Sequence, residues 1–130
     1  MKARTRSGHC GSSLVAGDGG EVYEIGGLGD DGGETAWVEE YSLKENSWRR
    51  LAPMSYPRIR PAAGFLDGKL VVTGGMPGGR IEDRNEIYDP ETGKWSPAPH
   101  AQMFQSLSNR GGTGVALGSK LFVIGGNAGY

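Results

Sequence analysis

Apolar residues in this chain occur in short runs that stop at pairs of glycines. The mostly apolar runs at 22–25, 70–73 and 121–124 are each followed by such a pair: Gly26-Gly27, Gly74-Gly75 and Gly125-Gly126. Successive pairs begin 48 and 51 residues apart. Short runs bounded by turn residues are typical of β-strands, whereas a helix needs a longer segment with apolar residues every three or four positions. The pattern therefore predicts short strands and no helix.

A second landmark follows the first two glycine pairs. Tyr41 precedes Trp48 by 7 residues, and Tyr88 precedes Trp95 by the same distance. The tyrosine and the tryptophan each move by 47 residues from one copy to the next. Self-similarity at a fixed period of about 50 residues indicates a repeat array. The chain thus contains two full copies and the first part of a third.

Turn residues divide each copy into four predicted strands. In the second copy these strands fall at residues 62–66, 69–73, 85–88 and 94–96. Asp67-Gly68, between the first two, suits a type I′ hairpin because both of its central positions need positive φ. Gly93 supplies a left-handed residue in the last turn, and Asn46 stands at its place in the first copy. Each copy is predicted to be a four-stranded antiparallel sheet.

A single sheet of this kind has little apolar surface of its own. Repeat units become stable by stacking on their neighbours. We therefore expect Trp48 and Trp95 to lie in the core between sheets, where large aromatic rings contribute most. The glycine pairs lack Cβ atoms, so we also expect a tyrosine or tryptophan ring to lie against the backbone there.

Composition and charge narrow the possible functions. Of the 130 residues 24 are glycine, and 14 basic and 15 acidic side chains leave a formal net charge of −1. This balance excludes a basic nucleic-acid-binding face at the scale of the whole chain. The single cysteine, Cys10, cannot form an internal disulfide or build a zinc site alone. The apolar runs are too short to span a bilayer, and no secretion signal follows Met1. We expect a cytoplasmic chain that binds neither nucleic acid nor membrane.

Several residues could suggest catalytic or metal chemistry, and each has a simpler interpretation. The glycine-rich segment 26–33 is followed by a predicted strand, whereas a phosphate-binding loop opens a helix. The two aspartates of that segment and Glu34 lack the spaced oxygen ligands of a calcium loop. His9, Cys10 and His100 are too few for a metal site and too dispersed for an oriented nucleophile–base pair. The sequence predicts no catalytic, cofactor-binding or metal site in this segment.

The phased Gly-Gly, Tyr and Trp landmarks resemble the kelch repeat of β-propellers. The resemblance implies that each copy is one blade, with its first strand near the central channel and its fourth strand outside. It divides the chain into an N-terminal tail at 1–5, repeats at 6–54 and 57–103, and a truncated repeat at 108–130. Propellers close with roughly four to eight blades. We therefore expect an all-β, unclosed propeller segment that is a fragment of a longer protein or assembles with further copies.

The resemblance also implies where a partner would bind. In several kelch-like propellers an arginine at the entrance of the first strand faces the binding surface and holds acidic partner motifs. Arg60 and Arg110 lie near that place, and Arg60 alone has the family-like spacing to its glycine pair. The alternative is that each is an ordinary solvated loop charge.

We expect a noncatalytic module, without a cofactor, that binds a protein or peptide partner through its loop face. Loops on a rigid sheet scaffold usually carry binding. The alternative is part of a propeller enzyme, of the sugar-processing or oxidase type, whose catalytic residues lie outside this segment. The candidate partner-binding residues are Arg58, Arg60, Arg80, Asn109, Arg110 and Asn127.

Overall fold

The computed structural model describes residues 10–75, 84–98 and 113–124, which form ten β-strands and no helix. Sheet 1 contains β1 (Ser13–Ala16), β2 (Glu21–Ile25), β3 (Val38–Ser42) and β4 (Ser47–Arg50). Sheet 2 contains β5 (Ala62–Leu66), β6 (Lys69–Thr73), β7 (Asn85–Asp89) and β8 (Lys94–Pro97). Sheet 3 contains β9 (Thr113–Leu117) and β10 (Lys120–Ile124). Consecutive strands pair antiparallel in every sheet. The chain is an all-β, unclosed array, as predicted.

Strand boundaries follow the sequence pattern closely. The predicted strands at 62–66 and 69–73 agree with β5 and β6 residue for residue, and β7 and β8 each extend one residue further than predicted. Asp67 and Gly68 have φ of 49° and 76°, as a type I′ turn requires. Asn46 and Gly93, with φ of 47° and 69°, are left-handed at matching turns. Local turn chemistry therefore sets the hairpins.

The three first strands share one register with their glycine pairs. Each begins opposite the residue that precedes a pair, in the pairings Ser13–Ile25, Ala62–Thr73 and Thr113–Ile124. Gly11, Arg60 and Gly111 are therefore equivalent positions, two residues before the strand. Arg110 is equivalent to Ile59, one position out of phase with Arg60. For Arg110 and Gly111, which lie outside the described residues, this equivalence is one of sequence register alone.

The core lies between sheets 1 and 2. Trp95 packs against it, and its indole Nε1 donates a hydrogen bond to the carbonyl of Ala52 at 2.7 Å. Trp48 stacks on Tyr41 with ring centroids 5.3 Å apart. Because side chains alternate between the faces of a strand, Trp48 lies on the face of sheet 1 that points away from this core. The main buried side chains of the core are Tyr23, Ile25 and Val38 from sheet 1 and Leu70, Val72 and Tyr88 from sheet 2.

The first glycine pair is required by neighbouring backbone rather than by an aromatic ring. Gly26 and Gly27 have φ of 65° and 93°, a region that strains any side chain. A Cβ on Gly26 would lie 2.2 Å from the carbonyl oxygen of Arg58, and one on Gly27 would lie 2.9 Å from the amide nitrogen of Ser12. The expectation of a tyrosine or tryptophan ring against the pair is wrong, because two backbone segments occupy that space.

Neighbouring sheets meet through their first strands. Within the described ranges, β5 contacts β1 on one side and β9 on the other. The approach of β9 is close, since a Cβ on Gly114 would lie 2.7 Å from the carbonyl oxygen of Ala63. The face of sheet 3 that points away from sheet 2 is apolar and exposed, and it presents Val115, Leu117, Phe122 and Ile124.

Candidate functional site

Loops and turns divide between the two ends of the sheets. Because consecutive strands are antiparallel, the hairpin turns at 17–20, 43–46, 67–68 and 90–93 share one end. Segment 26–37, segment 51–61 and Arg84, which precedes β7, lie at the opposite end, called here the loop end. Irregular segments on a sheet scaffold usually carry binding residues. The loop end is therefore where the predicted site has to be sought.

The connection between sheets 1 and 2 is fixed to the loop of sheet 1 by backbone hydrogen bonds. In each bond the amide of the first residue donates to the carbonyl of the second: Leu51 to Val38 (2.9 Å), Met54 to Ala36 (2.9 Å), Arg58 to Thr35 (3.1 Å) and Gly27 to Arg58 (2.8 Å). Backbone groups bonded in this way need no water and hold their geometry. The described part of the loop end is thus one framework rather than a set of separate loops.

Arg58 lies at the centre of that framework and is fully buried. Its Nη2 lies 2.9 Å from Oε2 of Glu86, and its Nη1 donates to the carbonyls of Gly74 and Arg84 at 2.8 Å each. The other carboxylate oxygen of Glu86 accepts the amide of Ser55 at 2.8 Å. Arg58 therefore ties the connection between the sheets to the strand ends of sheet 2.

The expectation that Arg58 is an exposed residue on the loop face is corrected by this arrangement. A buried guanidinium is tolerated when a carboxylate and further hydrogen bonds satisfy it. Glu86, Gly74 and Arg84 supply those bonds to the two terminal nitrogens, whereas the buried Nε has no hydrogen-bond partner among the described residues. A partner could reach Arg58 only by breaking these bonds. Arg58 positions the loop end and does not face solvent.

Arg60 is exposed and has φ of 51°. Its amide donates to the carbonyl of Gly11 at 2.7 Å, which holds the start of sheet 2 against sheet 1. Gly11, at the equivalent position, has φ of 75°. A left-handed conformation costs a residue with a side chain about 1–2 kcal/mol. The second copy thus carries an arginine at a backbone position that favours glycine.

Arg84 is the second exposed arginine beside Arg58. Its guanidinium carbon lies 3.3 Å from the ring centroid of Tyr56, a stacked geometry that favours a cation over an aromatic face. Arg60 and Arg84 lie at the same end of sheet 2, because Ala62 and Asn85 are both paired with Thr73 of β6. One strand separates the two arginines.

The loop end of sheet 1 has different chemistry. Arg50 lies 3.8 Å from the ring centroid of Trp37 and 3.3 Å from the carboxylate of Glu39. Segment 28–35 carries the exposed Asp30 and Asp31, and Oδ1 of Asp31 accepts the amide of Gly33 at 2.8 Å. The described loop end is therefore acidic over sheet 1 and carries arginines at the start of sheet 2.

Other predicted residues cannot be placed. Arg80, Asn109, Arg110 and Asn127, together with Gly125, Gly126, His9 and His100, lie outside the described residues. Within the described ranges no three histidine, cysteine, aspartate or glutamate side chains form a group suited to a metal ion. None of the described segments is a helix long and apolar enough to cross a membrane.

Two residues that shape this site were not predicted. Glu86 had a usable signal, because Glu39 stands 47 residues before it at the same place in a predicted strand. A glutamate in the middle of a strand at the repeat spacing indicates a buried partner. Tyr56 had no such signal, since it lies in the irregular connection between copies.

Sequence comparison places these features among known repeats. The family described as "Kelch motif" matches residues 9–55 and 57–101. A putative F-box/kelch-repeat protein from Arabidopsis thaliana is 39% identical over 88 residues, 68% of this chain and 24% of that protein. Kelch-like protein 41b from Danio rerio is 36% identical over 107 residues, 82% of this chain and 17% of that protein. The chain therefore spans about a quarter of these relatives or less.

Structural comparison supports the same architecture. The solved structure titled "Structure of YjhT" matches 96% of this chain and 40% of its own, with a TM-score of 0.76 and 21% sequence identity. That likeness concerns the fold alone.

Proposed function

The chain belongs to the kelch-repeat family, and from this premise we propose that it is a noncatalytic module that binds a protein partner through its loop end. Its matched relatives include F-box/kelch-repeat and Kelch-like proteins. We further propose the repeat boundaries 6–54, 57–103 and 108–130. The observation that carries the proposed site is Arg60, an exposed arginine with a left-handed backbone where the first copy has Gly11.

Backbone strain of this kind persists where surrounding contacts enforce it, and it concentrates at binding sites. The hydrogen bond from the amide of Arg60 to Gly11 and the buried Arg58 two residues earlier supply that enforcement. A glycine at position 60 would relieve the strain without changing the fold. An arginine at a position that favours glycine therefore supports a role at the surface.

The chemistry of Arg60 selects the class of partner. A guanidinium binds carboxylates through two parallel hydrogen bonds, a geometry that lysine cannot reproduce. We propose that the partner presents an acidic segment to the start of sheet 2. Arg80, Asn109, Arg110 and Asn127 remain proposed secondary contacts.

The proposal is tested by binding of acidic peptides to the chain. The chain is biotinylated and immobilised at low density, and a glutamate-rich peptide and its glutamine twin are passed over it. We expect the glutamate peptide alone to bind, and salt to weaken it. Arg60→Ala should cost about 2 kcal/mol or more if the pair is desolvated. Arg110→Ala should cost less, because its register places it out of phase with Arg60.

Lys44→Ala is the matched control, since Lys44 is exposed in a hairpin turn at the opposite end. Circular dichroism of each variant checks that the strands are retained. Equal and small effects of all three substitutions, each about 1 kcal/mol or less, would identify these residues as ordinary solvated charges. That result would refute the proposed site.

A further inference from the structure

Glu24 is a buried carboxylate on the face of sheet 1 that points away from sheet 2, called here the outer face. It is 7% exposed and lies directly opposite Glu39, whose side chain is fully buried. Because opposite residues of an antiparallel pair share a face, the two carboxylates lie side by side. The same places in sheet 2 hold Val72 and Glu86, so sheet 1 carries one buried acid more.

The described residues satisfy one oxygen of Glu24 and leave the other. Oε1 accepts the hydroxyl of Ser12 at 2.8 Å, whereas the buried Oε2 has no hydrogen-bond partner among the described residues. Arg50 is the one basic residue of the described strands on the outer face, and it lies 3.3 Å from Oε1 of Glu39. A buried carboxylate beside a second one is costly unless a cation reaches it. A donor for Glu24 therefore has to come from outside the described ranges.

Three segments outside those ranges carry basic residues, and their points of attachment distinguish them. Segment 76–83 is joined to sheet 2 at both of its ends, and segment 99–112 joins sheet 2 to sheet 3. Segment 1–9 is joined through two residues to Ser12, which already bonds Glu24. Six residues of extended chain span up to about 20 Å, so this segment is tethered within reach of the carboxylate.

The composition of segment 1–9 suits the outer face. It has no acidic residue, and its basic residues are Lys2, Arg4 and Arg6. A guanidinium satisfies a buried carboxylate well, as Arg58 does for Glu86 in sheet 2 at 2.9 Å. Leu14 is 67% exposed on the outer face, and the long stems of arginine side chains cover apolar surface of this kind.

We propose that segment 1–9 docks on the outer face of sheet 1 and that Arg4 or Arg6 donates to Oε2 of Glu24. The segment caps this sheet, because it neutralises the additional buried acid and covers Leu14. Repeat arrays need such a polar cover on a terminal unit. The contact does not involve Arg60, so it is independent of the proposed partner site.

A second copy of the chain fits the outer face less well. If its sheet 3 stacked there as sheet 1 stacks on sheet 2, its apolar face with Phe122 and Ile124 would cover Glu24 and leave the charge without a partner. Leu14 also stands where sheet 3 has Gly114, and a Cβ on Gly114 would already lie 2.7 Å from the carbonyl oxygen of Ala63. An equally close approach at Leu14 would overpack the contact.

Trypsin cleavage after Arg6 tests the contact, because a docked segment is cut only when it opens. Mass spectrometry gives initial rates for the 130-residue chain, for Glu24→Gln and for a free peptide of residues 1–12. We expect the wild type to be cut about tenfold more slowly than the peptide, the size of one charged hydrogen bond, and Glu24→Gln to approach the peptide rate. Glu45→Gln is the matched control, since Glu45 is exposed in a hairpin turn, and it should behave as the wild type.

Urea unfolding provides a second measurement that does not depend on protease access. The double variant Arg4→Gln, Arg6→Gln should raise the unfolding equilibrium constant about tenfold in the wild type and have little effect in Glu24→Gln, because interacting residues are not additive. Additive effects would refute the contact. So would cleavage of the wild type at the peptide rate, or equal protection of Glu24→Gln and the wild type. Protection that increases with chain concentration would assign the contact to a second copy and overturn the proposed docking within one chain.

Discussion

Nη2 of Arg58 lies 2.9 Å from Oε2 of Glu86, and both side chains are buried. The two residues are 28 positions apart, one in the connection between sheets and one within β7. Arg58 also donates hydrogen bonds to two backbone carbonyls, those of Gly74 and Arg84, so a single side chain links the ends of β6 and β7 at the loop end of sheet 2. The surface that bears Arg60 and Arg84 depends on this pair.

Removing one partner of the pair should destabilise the chain more than removing both. Arg58→Met leaves the Glu86 carboxylate buried with one lost partner, which typically costs about 3–5 kcal/mol. Adding Glu86→Leu should recover part of that loss, because no unpaired charge then remains. Urea unfolding followed by circular dichroism measures both variants.

The control for this cycle is the pair of Arg49 and Glu40, in which the glutamate is buried but the arginine side chain, the one replaced, is 67% exposed. Arg49→Met should cost about 1 kcal/mol or less. A cost for Arg58→Met no greater than that for Arg49→Met would show that the buried pair contributes little.

A Cβ at Gly26 should be far more harmful than a Cβ at Gly68. Both positions have positive φ, 65° and 76°, so Ala is strained at each by about 1–2 kcal/mol. At Gly26 the added atom also lies 2.2 Å from the carbonyl oxygen of Arg58, whereas at Gly68 nothing lies within 4 Å. Gly26→Ala should therefore cost about 3 kcal/mol or more once overpacking is added.

Thermal unfolding of Gly26→Ala and Gly68→Ala, measured side by side, checks this difference. The strain from positive φ is common to both variants and cancels in the comparison. The remaining difference in stability therefore measures the contact between the added Cβ and the backbone of Arg58 alone. Equal losses in the two variants would mean that conformation, and not the contact with Arg58, explains the glycine pair.

Hairpins were predictable from the sequence because their signals are local. The residue types of Asp67-Gly68 and Gly93 predict their own backbone conformation, since few residue types adopt positive φ. The strands β5 and β6 follow from the apolar run between such turns. Repetition at a fixed spacing then extends the same assignment to the other copies.

The site was harder to predict because burial of an arginine depends on distant residues. Arg58 and Arg60 stand two positions apart with the same side chain, and nothing local shows that one is buried and the other exposed. Glu86 decides the difference, and it comes near only after sheet 2 has formed. The reason for the first glycine pair was missed likewise, because the neighbour of Gly26 is the backbone of Arg58 in the next copy.

Alkaline pH should destabilise the chain through its buried tyrosines. Burial, reinforced by the Glu40 carboxylate, holds the pKa of Tyr23 well above its usual range. Burial also raises the pKa of Tyr88. Folding therefore favours the protonated phenols, so their contribution is fully present below about pH 10 and is lost as the pH rises above it. The free energy of unfolding should fall by about 1 kcal/mol per pH unit per tyrosine.

Urea unfolding at several pH values between 8 and 12 measures this slope. Tyr23→Phe and Tyr88→Phe should each reduce it, and the double variant should reduce it most. An unchanged slope in the double variant would assign the alkaline loss of stability to other groups.

The exposed face of sheet 3 should drive the 130-residue chain to self-associate. Phe122 and Ile124 share this face, and each is exposed. The corresponding face of sheet 1 carries Tyr23 and Ile25, and sheet 2 covers it. Exposed apolar sheet faces and unpaired strand edges favour association. Size-exclusion chromatography with light scattering should show soluble aggregates that grow with concentration.

Replacing two of the four apolar side chains on this face should reduce the association without altering the two four-stranded sheets. The double variant Phe122→Gln, Ile124→Gln removes the two apolar side chains that β10 contributes to this face while leaving the backbone pairing of β10 with β9. Leu43→Gln is the matched control, because Leu43 is an exposed apolar residue in a hairpin turn, 67% exposed and away from sheet 3. The double variant should shift the distribution towards the monomer, and Leu43→Gln should leave it unchanged. A wild-type chain that is monomeric at every concentration would contradict this prediction, because the exposed apolar face of sheet 3 would then not drive association.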